Sequence, residues 1–174
     1  SYDASNWYLS AGMYYMNYKE QLVQTGQLSD IGEALTTNIS DSYRMGHEIS
    51  AGYTPFKWLS LDVNGAFSRN RILDFDEYVS HNWDEYFVVK HYDNSTLAFS
   101  PSVVLNGMAT FRFGDFKAVW HTNFVSRQYL DNTQCEARSL PRYSTTAIRL
   151  SYTLKPGKNA IGMKQTVFGL DLNN

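Results

Sequence analysis

"ISAGYTPFKWLSLDVNGAFS" (residues 49–68) holds two runs of alternating residues hinged on Pro55. After the hinge, Leu59, Leu61, Val63, Gly65 and Phe67 share one side, and Ser60, Asp62, Asn64, Ala66 and Ser68 share the other. Before it, Tyr43, Met45, His47, Ile49, Ala51 and Tyr53 alternate with Ser42, Arg44, Gly46, Glu48, Ser50 and Gly52. A period of two is the signature of a β-strand, whose successive side chains point to opposite faces. One face of this ribbon is oily and the other wet. The fold follows from deciding which face meets water.

Composition narrows the choice. The chain has 174 residues, enough for one ordinary domain, with net charge -2 from 15 basic and 17 acidic residues. Mean hydropathy is -0.40, and no apolar run approaches the roughly 18–20 residues of a membrane helix. No basic stripe indicates nucleic acid. Aromatic content is high at 16%, with 13 Tyr, 10 Phe and 4 Trp. Cys135 has no partner in the chain for a disulfide. No secretory leader is visible before Ser1, which fits a mature protein, a cytosolic protein or a piece of a longer one.

Alternation predicts seven strands, near 6–18, 39–53, 58–69, 96–113, 116–129, 143–154 and 164–173. In the fourth, Leu97, Phe99, Pro101, Val103 and Leu105 are read as one face, and a bulge is expected near Asn106-Gly107 before Ala109, Phe111 and Phe113. Pro101, which cannot donate to a ladder, is expected at a bulge or beside an adapted neighbour. The connections alternate in length. Those near 19–38, 70–95 and 130–142 are long, whereas Thr54–Lys57 and Gly114-Asp115 are tight turns and the one around Lys155–Lys158 is shorter. In an antiparallel meander that places the loops at one end and the turns at the other, as in outer-membrane barrels.

Two further signals agree. Several strands run past ten residues, where soluble strands average about 5–6. Aromatics gather at strand ends: Trp7, Tyr53, Trp58, Phe113, Phe116 and Tyr152 at the turn end, and Tyr15, Tyr43, Phe67, Tyr129 and Tyr143 at the loop end. Amphipathic rings suit the two membrane interfaces. The fold class expected is therefore all-β, an antiparallel meander of about seven long strands forming part of a transmembrane β-barrel, with short periplasmic turns and long extracellular loops. The oily face looks at lipid and the Ser/Asp/Asn face at an aqueous or plugged interior, because in lipid only a closed barrel satisfies every backbone group. The competing reading is a soluble β-sandwich or lipocalin-like barrel with its apolar face inward.

A resemblance sharpens the expectation. "MYYMNYKEQLVQTGQLSDIGEALTTNISDSYRMGHEI" (residues 13–49) resembles a stretch near the C-terminus of TonB-dependent outer-membrane receptors of the Bacteroidetes type. "PFKWLSLDVNGAFSRNRILDFDEYV", "LAFSPSVVLNGMATFRF", "FVSRQYLDNT" and "GLDLNN" resemble the segments that follow, in order, over nearly the whole chain. The resemblance implies a barrel of many strands, a plug domain within it and coupling to TonB through that plug. Residues 1–174 are then expected to be a C-terminal part of such a barrel, with the plug and the final strands elsewhere. It implies high-affinity uptake of a scarce nutrient, a ferric siderophore, haem or cobalamin, at the outer membrane of a Gram-negative bacterium. A glycan importer and a small self-contained structural or adhesive barrel are the alternatives. Implied partners are outer-membrane lipid, the plug, TonB, the small nutrient ligand and, in some such systems, a surface lipoprotein, with no nucleic acid and no cofactor.

"RILDFDEYVSHNWDEYFVVKHYDNS" (residues 71–95) is the segment richest in chemistry. His81, Trp83, Asp84, Tyr86, His91 and Tyr92 are the candidates for contacting a ligand from an extracellular loop, with rings stacking and polar groups orienting. The plain alternative is a solvated loop whose aromatics pack on its neighbours. His81, His91 and the carboxylates match no defined metal-ligand spacing, and "DFDEY" lacks the Gly and terminal Glu of a calcium loop, so no metal site is assigned. Arg44, Glu48, His121, Arg127 and Arg149 are expected to form a polar network facing the lumen. His47 falls on the lipid side, at little cost if near an interface. No G-x-S-x-G, H-E-x-x-H, Cys-pair or phosphate-cradling motif is present, and Ser80, His81 and Asp84 are the one weak hydrolase-like grouping, so an enzyme is not expected.

Overall fold

A computed structural model of the chain describes residues 2–3, 5–28, 31–80, 87–155 and 166–174. Its elements are β1 (Tyr2–Asp3), β2 (Trp7–Leu28), β3 (Ala34–Phe56), β4 (Leu59–Ser80), β5 (Phe87–Thr96), β6 (Val103–Phe113), β7 (Phe116–Val125), β8 (Gln128–Tyr129), a 3-10 turn (Glu136–Arg138), β9 (Ser139–Leu140), β10 (Tyr143–Leu154) and β11 (Thr166–Asn173). The main sheet runs β1-β2-β3-β4-β6-β7-β10-β11, every pair antiparallel, with β5 added to the upper half of β4. This is the antiparallel meander the alternation predicts.

Register carries the two-face pattern across the whole sheet. Tyr53 lies opposite Trp7 and Leu61, Leu61 opposite Ala109, Ala109 opposite Trp120, Trp120 opposite Ile148, and Ile148 opposite Leu172. Most rows parallel to this one repeat the choice, with His47, Arg69, Thr122 and Ser144 as polar exceptions nearer the loop end. No layer covers that face among the described residues: Leu61 is 40% exposed, Val63 55% and Ile148 38%. The competing reading required those side chains to enter a dry centre, and they do not.

The opposite face is polar and close-knit. Asn106 Nδ2 donates to Asn64 Oδ1 at 2.9 Å, and Asn123 Nδ2 to Asn106 Oδ1 at 2.6 Å, an amide ladder across three strands in register. Tyr8 lies over Gly52 and donates to Asp62 Oδ1 at 3.2 Å, and Tyr14 lies over Gly46. A Cβ on Gly52 would stand 2.1 Å from Tyr8 Cε1, so the ring occupies the space a side chain would need.

Several expectations change. The 19–38 gap is mostly strand, since β2 continues to Leu28 and β3 begins at Ala34. The 70–95 gap is a hairpin of β4 and β5, paired from Arg71↔Thr96 to Ser80↔Phe87. Two residues with positive φ explain why alternation failed to reveal these extensions. Glu20 (φ 55) and Asn94 (φ 55) sit where the ladder skips a pair, and side-chain parity crosses over there. Beyond Glu20, Gln21 shares a face with Ser42, whose hydroxyl donates to Gln21 Oε1 at 2.6 Å. The crossovers turn Val23, Ile39, Ile72, Phe75 and Leu97 together into a buried cluster, with Tyr92 against it. The hairpin thus has a small core of its own above the amphipathic sheet.

The bulge expected at Asn106-Gly107 is absent. β6 keeps one register against β4 and β7 throughout, and Val103, Leu105, Gly107, Ala109, Phe111 and Phe113 form one unbroken face. Gly107 has no side chain to mark the face and Met108 is apolar on the other, which blurs a continuous pattern. Pro101 lies outside the strands, before Val103, and owes the ladder no donor. The fifth strand ends at Val125, with Gln128–Tyr129 as a separate short strand. The turn between β3 and β4 narrows to Lys57-Trp58 with a register shift between Tyr53 and Phe56. The shorter connection expected around Lys155–Lys158 lies, after Lys155, outside the described residues.

Candidate functional site

Chemistry-bearing side chains converge at the end of the sheet where β2, β3, β4 and β5 project. The β4–β5 hairpin presents different residues on its two faces. On the exposed one, His91 Nδ1 stands 2.8 Å from Asp76 Oδ1 and 3.6 Å from Asp74 Oδ1, and its Nε2 stands 3.1 Å from Asp93 Oδ1. Donating to Asp76, and then to Asp93, holds the imidazole protonated to a higher pH than usual. Asp74, Asp76 and His91 place ligand atoms within 4.8 Å of one another. Both ring nitrogens already face carboxylates, however, and an imidazolium has no lone pair for a metal. The arrangement makes His91 a cation clamped by acids.

On the inner face, Glu77 is 5% exposed. Its Oε1 accepts from Arg138 Nη1 at 2.8 Å and its Oε2 from Tyr92 OH at 2.8 Å. Arg138 also reaches Asp131 Oδ2 at 3.0 Å and Thr133 Oγ1 at 3.0 Å. The carboxylate of Glu77 raises the guanidinium pKa further above its already high value, so Arg138 is charged at every relevant pH. Asn132, 1% exposed, accepts from Ala98 N at 2.8 Å and donates to Gln24 O at 3.2 Å. Gln134 reaches Thr96 Oγ1 at 2.7 Å. The 126–142 loop, braced by the β8–β9 pair, is therefore laid back onto β2, β4 and β5. Cys135 is a free thiol in this loop, its pKa lowered by the backbone N–H of Ala137 and by Arg138.

Beside the docked loop, the polar face opens into a cavity of about 510 Å³ with Tyr14, Tyr18, Arg44, Glu48, Asn70 and Phe99 among its walls. The Arg44 guanidinium lies 5.9 Å from the centre of the Tyr18 ring, and its Nε is buried without a partner among the described residues. Arg44 and Glu48 share the cavity but form no ion pair with each other among the described residues. A cation with an unused donor, flanked by aromatic rings and a carboxylate, suits a polar ligand with a planar or anionic portion.

The sequence-derived candidates fall in different places. His91 and Tyr92 stand on opposite faces of the hairpin, one in the acidic clamp and one against Glu77. His81, Trp83, Asp84 and Tyr86 lie outside the described residues. Arg149 forms a two-point pair with Asp171, at 2.6 and 3.0 Å, across β10 and β11 on the polar face, beside His121. Arg127 is not part of that face: it follows the end of β7 and pairs with Glu136 in the loop. Glu77, Asn132 and Arg138 were missed. Their partners lie 61 and 108 residues away, a juxtaposition no local spacing encodes.

These features define a class: a two-faced antiparallel meander, apolar without and polar within, with a structured crown at one end. Solved structures share the fold. The chain superposes on the FrpB iron transporter from Neisseria meningitidis, F3-3 variant, at TM-score 0.57 and 12% identity, covering 99% of this chain and 25% of that one. The F5-1 variant apoprotein form of the same transporter gives TM-score 0.59, also at 12% identity and 25% of its length. The chain thus spans about a quarter of the structures it matches. No protein-family model and no curated relative matches it.

Proposed function

We propose that this chain is part of the barrel wall of a TonB-dependent outer-membrane receptor that imports a scarce nutrient, with a ferric siderophore, haem or cobalamin as the cargo class. The observation that carries the reading is the uncovered apolar face, in register over seven long strands and bounded by aromatic rows, opposite a hydrogen-bonded amide ladder. Water outside would leave that face unfavourably exposed, and lipid inside would strand the ladder. The apolar stretch on β2, from Trp7 to Tyr15, is nine residues, which spans about 25–30 Å at a strand's rise and suits the apolar band of such barrels.

In this reading the remaining strands and a plug come from the rest of the natural polypeptide, and they close the two open edges at β1–β2 and β11. The crown of β2–β5 and the 126–142 loop faces outward, and the Arg44 cavity lies below it. Cargo is captured at the crown, occluded over the plug and released by TonB. The fold shared with an iron transporter supports transport over catalysis.

The test is made on the natural polypeptide that contains this chain. It should fractionate with outer membranes and run faster on gels unheated than boiled, as a closed barrel does. Its deletion should abolish growth on one iron source or on cobalamin, with recovery by the intact gene. A polypeptide found in the soluble fraction refutes the reading. Normal growth of the deletion on every such nutrient refutes the cargo class.

A further inference from the structure

We propose a binding site for an acylated, phosphorylated membrane lipid on the outer face of the sheet, with Arg69 as the phosphate ligand. The inference rests on the outer-membrane reading. Two successive cross-strand rows, Met13–His47–Phe67 and Tyr15–Met45–Arg69, line an open furrow of about 680 Å³. Arg69 is the one permanently charged side chain in those rows. It is exposed, and it makes no hydrogen bond or ion pair among the described residues. Its neighbours across the ladder are Met45 and then Tyr15, which offer it no counter-charge.

Position explains what it awaits. Phe67 and Tyr15 belong to the aromatic row at the loop end, so Arg69, one step beyond Phe67 on the same face, sits at headgroup level. A long basic side chain there extends its charge toward the interface while its stem lies on the apolar surface. A phosphate oxyanion is the complement available at that depth, and a guanidinium binds one through two parallel donors.

The furrow continues toward the middle of the sheet, where a second open space of about 610 Å³ shares Phe67 and is lined by Ile49, Val63 and Leu105. Gly107, on the same apolar face, carries no side chain to fill it, whereas Leu105 already lies over Gly65, where a Cβ would stand 2.8 Å from Leu105 Cδ2. A Cβ on Gly107 would meet only Thr122 Cγ2, at 3.4 Å, so the space there is open rather than required by packing. An acyl chain fits this path: headgroup at Arg69, tail past Phe67 into the gap over Gly107. Met13, Ile49, Val63 and Leu105 give the path an apolar wall suited to an acyl tail, with the charge confined to the Arg69 end.

The experiment uses the natural polypeptide, extracted from outer membranes in mild detergent, with retained lipid counted by native mass spectrometry. Wild type should retain phosphorylated lipid, and Arg69→Lys should keep most of it. Arg69→Gln should reduce retention about fivefold, the size expected for one basic side chain at an anionic lipid surface. Gly107→Leu, which fills the furrow without touching Arg69, should reduce it as well. Arg112→Gln on the polar face, where Arg112 donates to Ser60 Oγ at 3.1 Å, should change nothing. Equal retention by wild type, Arg69→Gln and Gly107→Leu overturns the site. So does displacement of the bound species by inorganic phosphate, which would make it a free anion. If retention is lost only in Arg112→Gln, the lipid lies elsewhere and the site is also overturned. Failure of the polypeptide to enter the membrane at all, scored separately by fractionation, overturns the receptor reading itself.

Discussion

Glu77 and Arg138 are 61 residues apart and joined by a 2.8 Å ion pair that pins the 126–142 loop to the β4–β5 hairpin. Glu77 is nearly buried while Arg138 is about half exposed, so the two ends of the bond are unequal. Removing the cation leaves a buried carboxylate holding only Tyr92 OH. Arg138→Ala is therefore expected to weaken loop docking by about 1–3 kcal/mol, the penalty of an undercompensated buried acceptor. Glu77→Gln keeps one acceptor and should cost less. Hydrogen exchange of the Asp131–Arg138 amides measures it, and unchanged protection in Arg138→Ala would show that Asn132 and Gln134 hold the loop without it.

The acidic clamp gives the hairpin a pH dependence of known sign. The imidazole of His91 has a raised pKa in the folded state because Asp76 and Asp93 hydrogen-bond its protonated form. A group with a raised folded pKa contributes stability that is complete below its unfolded pKa and is lost as pH rises through the folded one. The β4–β5 pairing around Asp76 and His91 should thus be better protected at mildly acidic pH than at pH values above the folded pKa. An NMR titration should place the His91 midpoint above the ordinary histidine value, and Asp76→Asn should lower it more than Asp93→Asn, because the Asp76 bond is the larger cause.

The glycines on the polar face should respond unequally to a methyl group. On Gly52 the obstacle is the Tyr8 ring, which can swing aside at the expense of its bond to Asp62. On Gly46 a Cβ would stand 2.6 Å from the backbone oxygen of Phe67, which cannot move without the strand, as well as 2.7 Å from Tyr14 Oη. Both Gly→Ala changes should destabilise by about 1–3 kcal/mol, with Gly46→Ala the worse. The separating measurement is a double mutant: Tyr8→Ala should rescue Gly52→Ala, while Tyr14→Ala should leave Gly46→Ala impaired. Equal rescue at both sites would mean the Phe67 carbonyl is not the obstacle.

How much of this was legible depends on how far strict alternation runs. From Leu59 to Phe67 and from Ile148 to Leu154 each residue's side is set by its parity, so those faces could be read directly from the chain, whereas Tyr143, expected among the interface rings, lies in the polar-face row of Glu48, Ala66, Val104 and Val125. Legibility fails wherever parity changes. Glu20 occupies a left-handed conformation that its identity does not announce, Asn94 one that asparagine tolerates but rarely signals on its own, and past them strand looks like loop. It fails also where a face is unmarked, as at Gly107, which produced an expected bulge that does not form. The crown was least legible of all, because Asn132 finds Gln24 only once the chain between them, β3 to β7, has been laid into the sheet. Arg127 was misplaced for a related reason: alternation was carried past Val125, where β7 had already ended.

A charge moved between the two faces of β4 tests the assignment on which the functional reading stands. Val63 is on the apolar face near the middle of the amphipathic stretch, opposite Ala51 and Gly107. Val63→Arg would place a guanidinium near the bilayer midplane, at a cost of about 2–4 kcal/mol. Ala66, three residues on, lies on the other face opposite Glu48. Ala66→Arg would put the same charge in the wet interior with a carboxylate beside it, where the change should stay within about 1 kcal/mol. Refolding of the natural polypeptide into lipid vesicles, followed by denaturant titration, measures both. A soluble sheet with Val63 against a dry core would also reject Val63→Arg, so the discriminating arm is Phe67→Arg. Near the interface, lipid tolerates that arginine at roughly 1 kcal/mol or less, whereas a core would penalise it as heavily as Val63→Arg. A steep fall in cost from Val63 to Phe67 is the expected result, and equal costs at the two positions would end the claim that this face meets a bilayer.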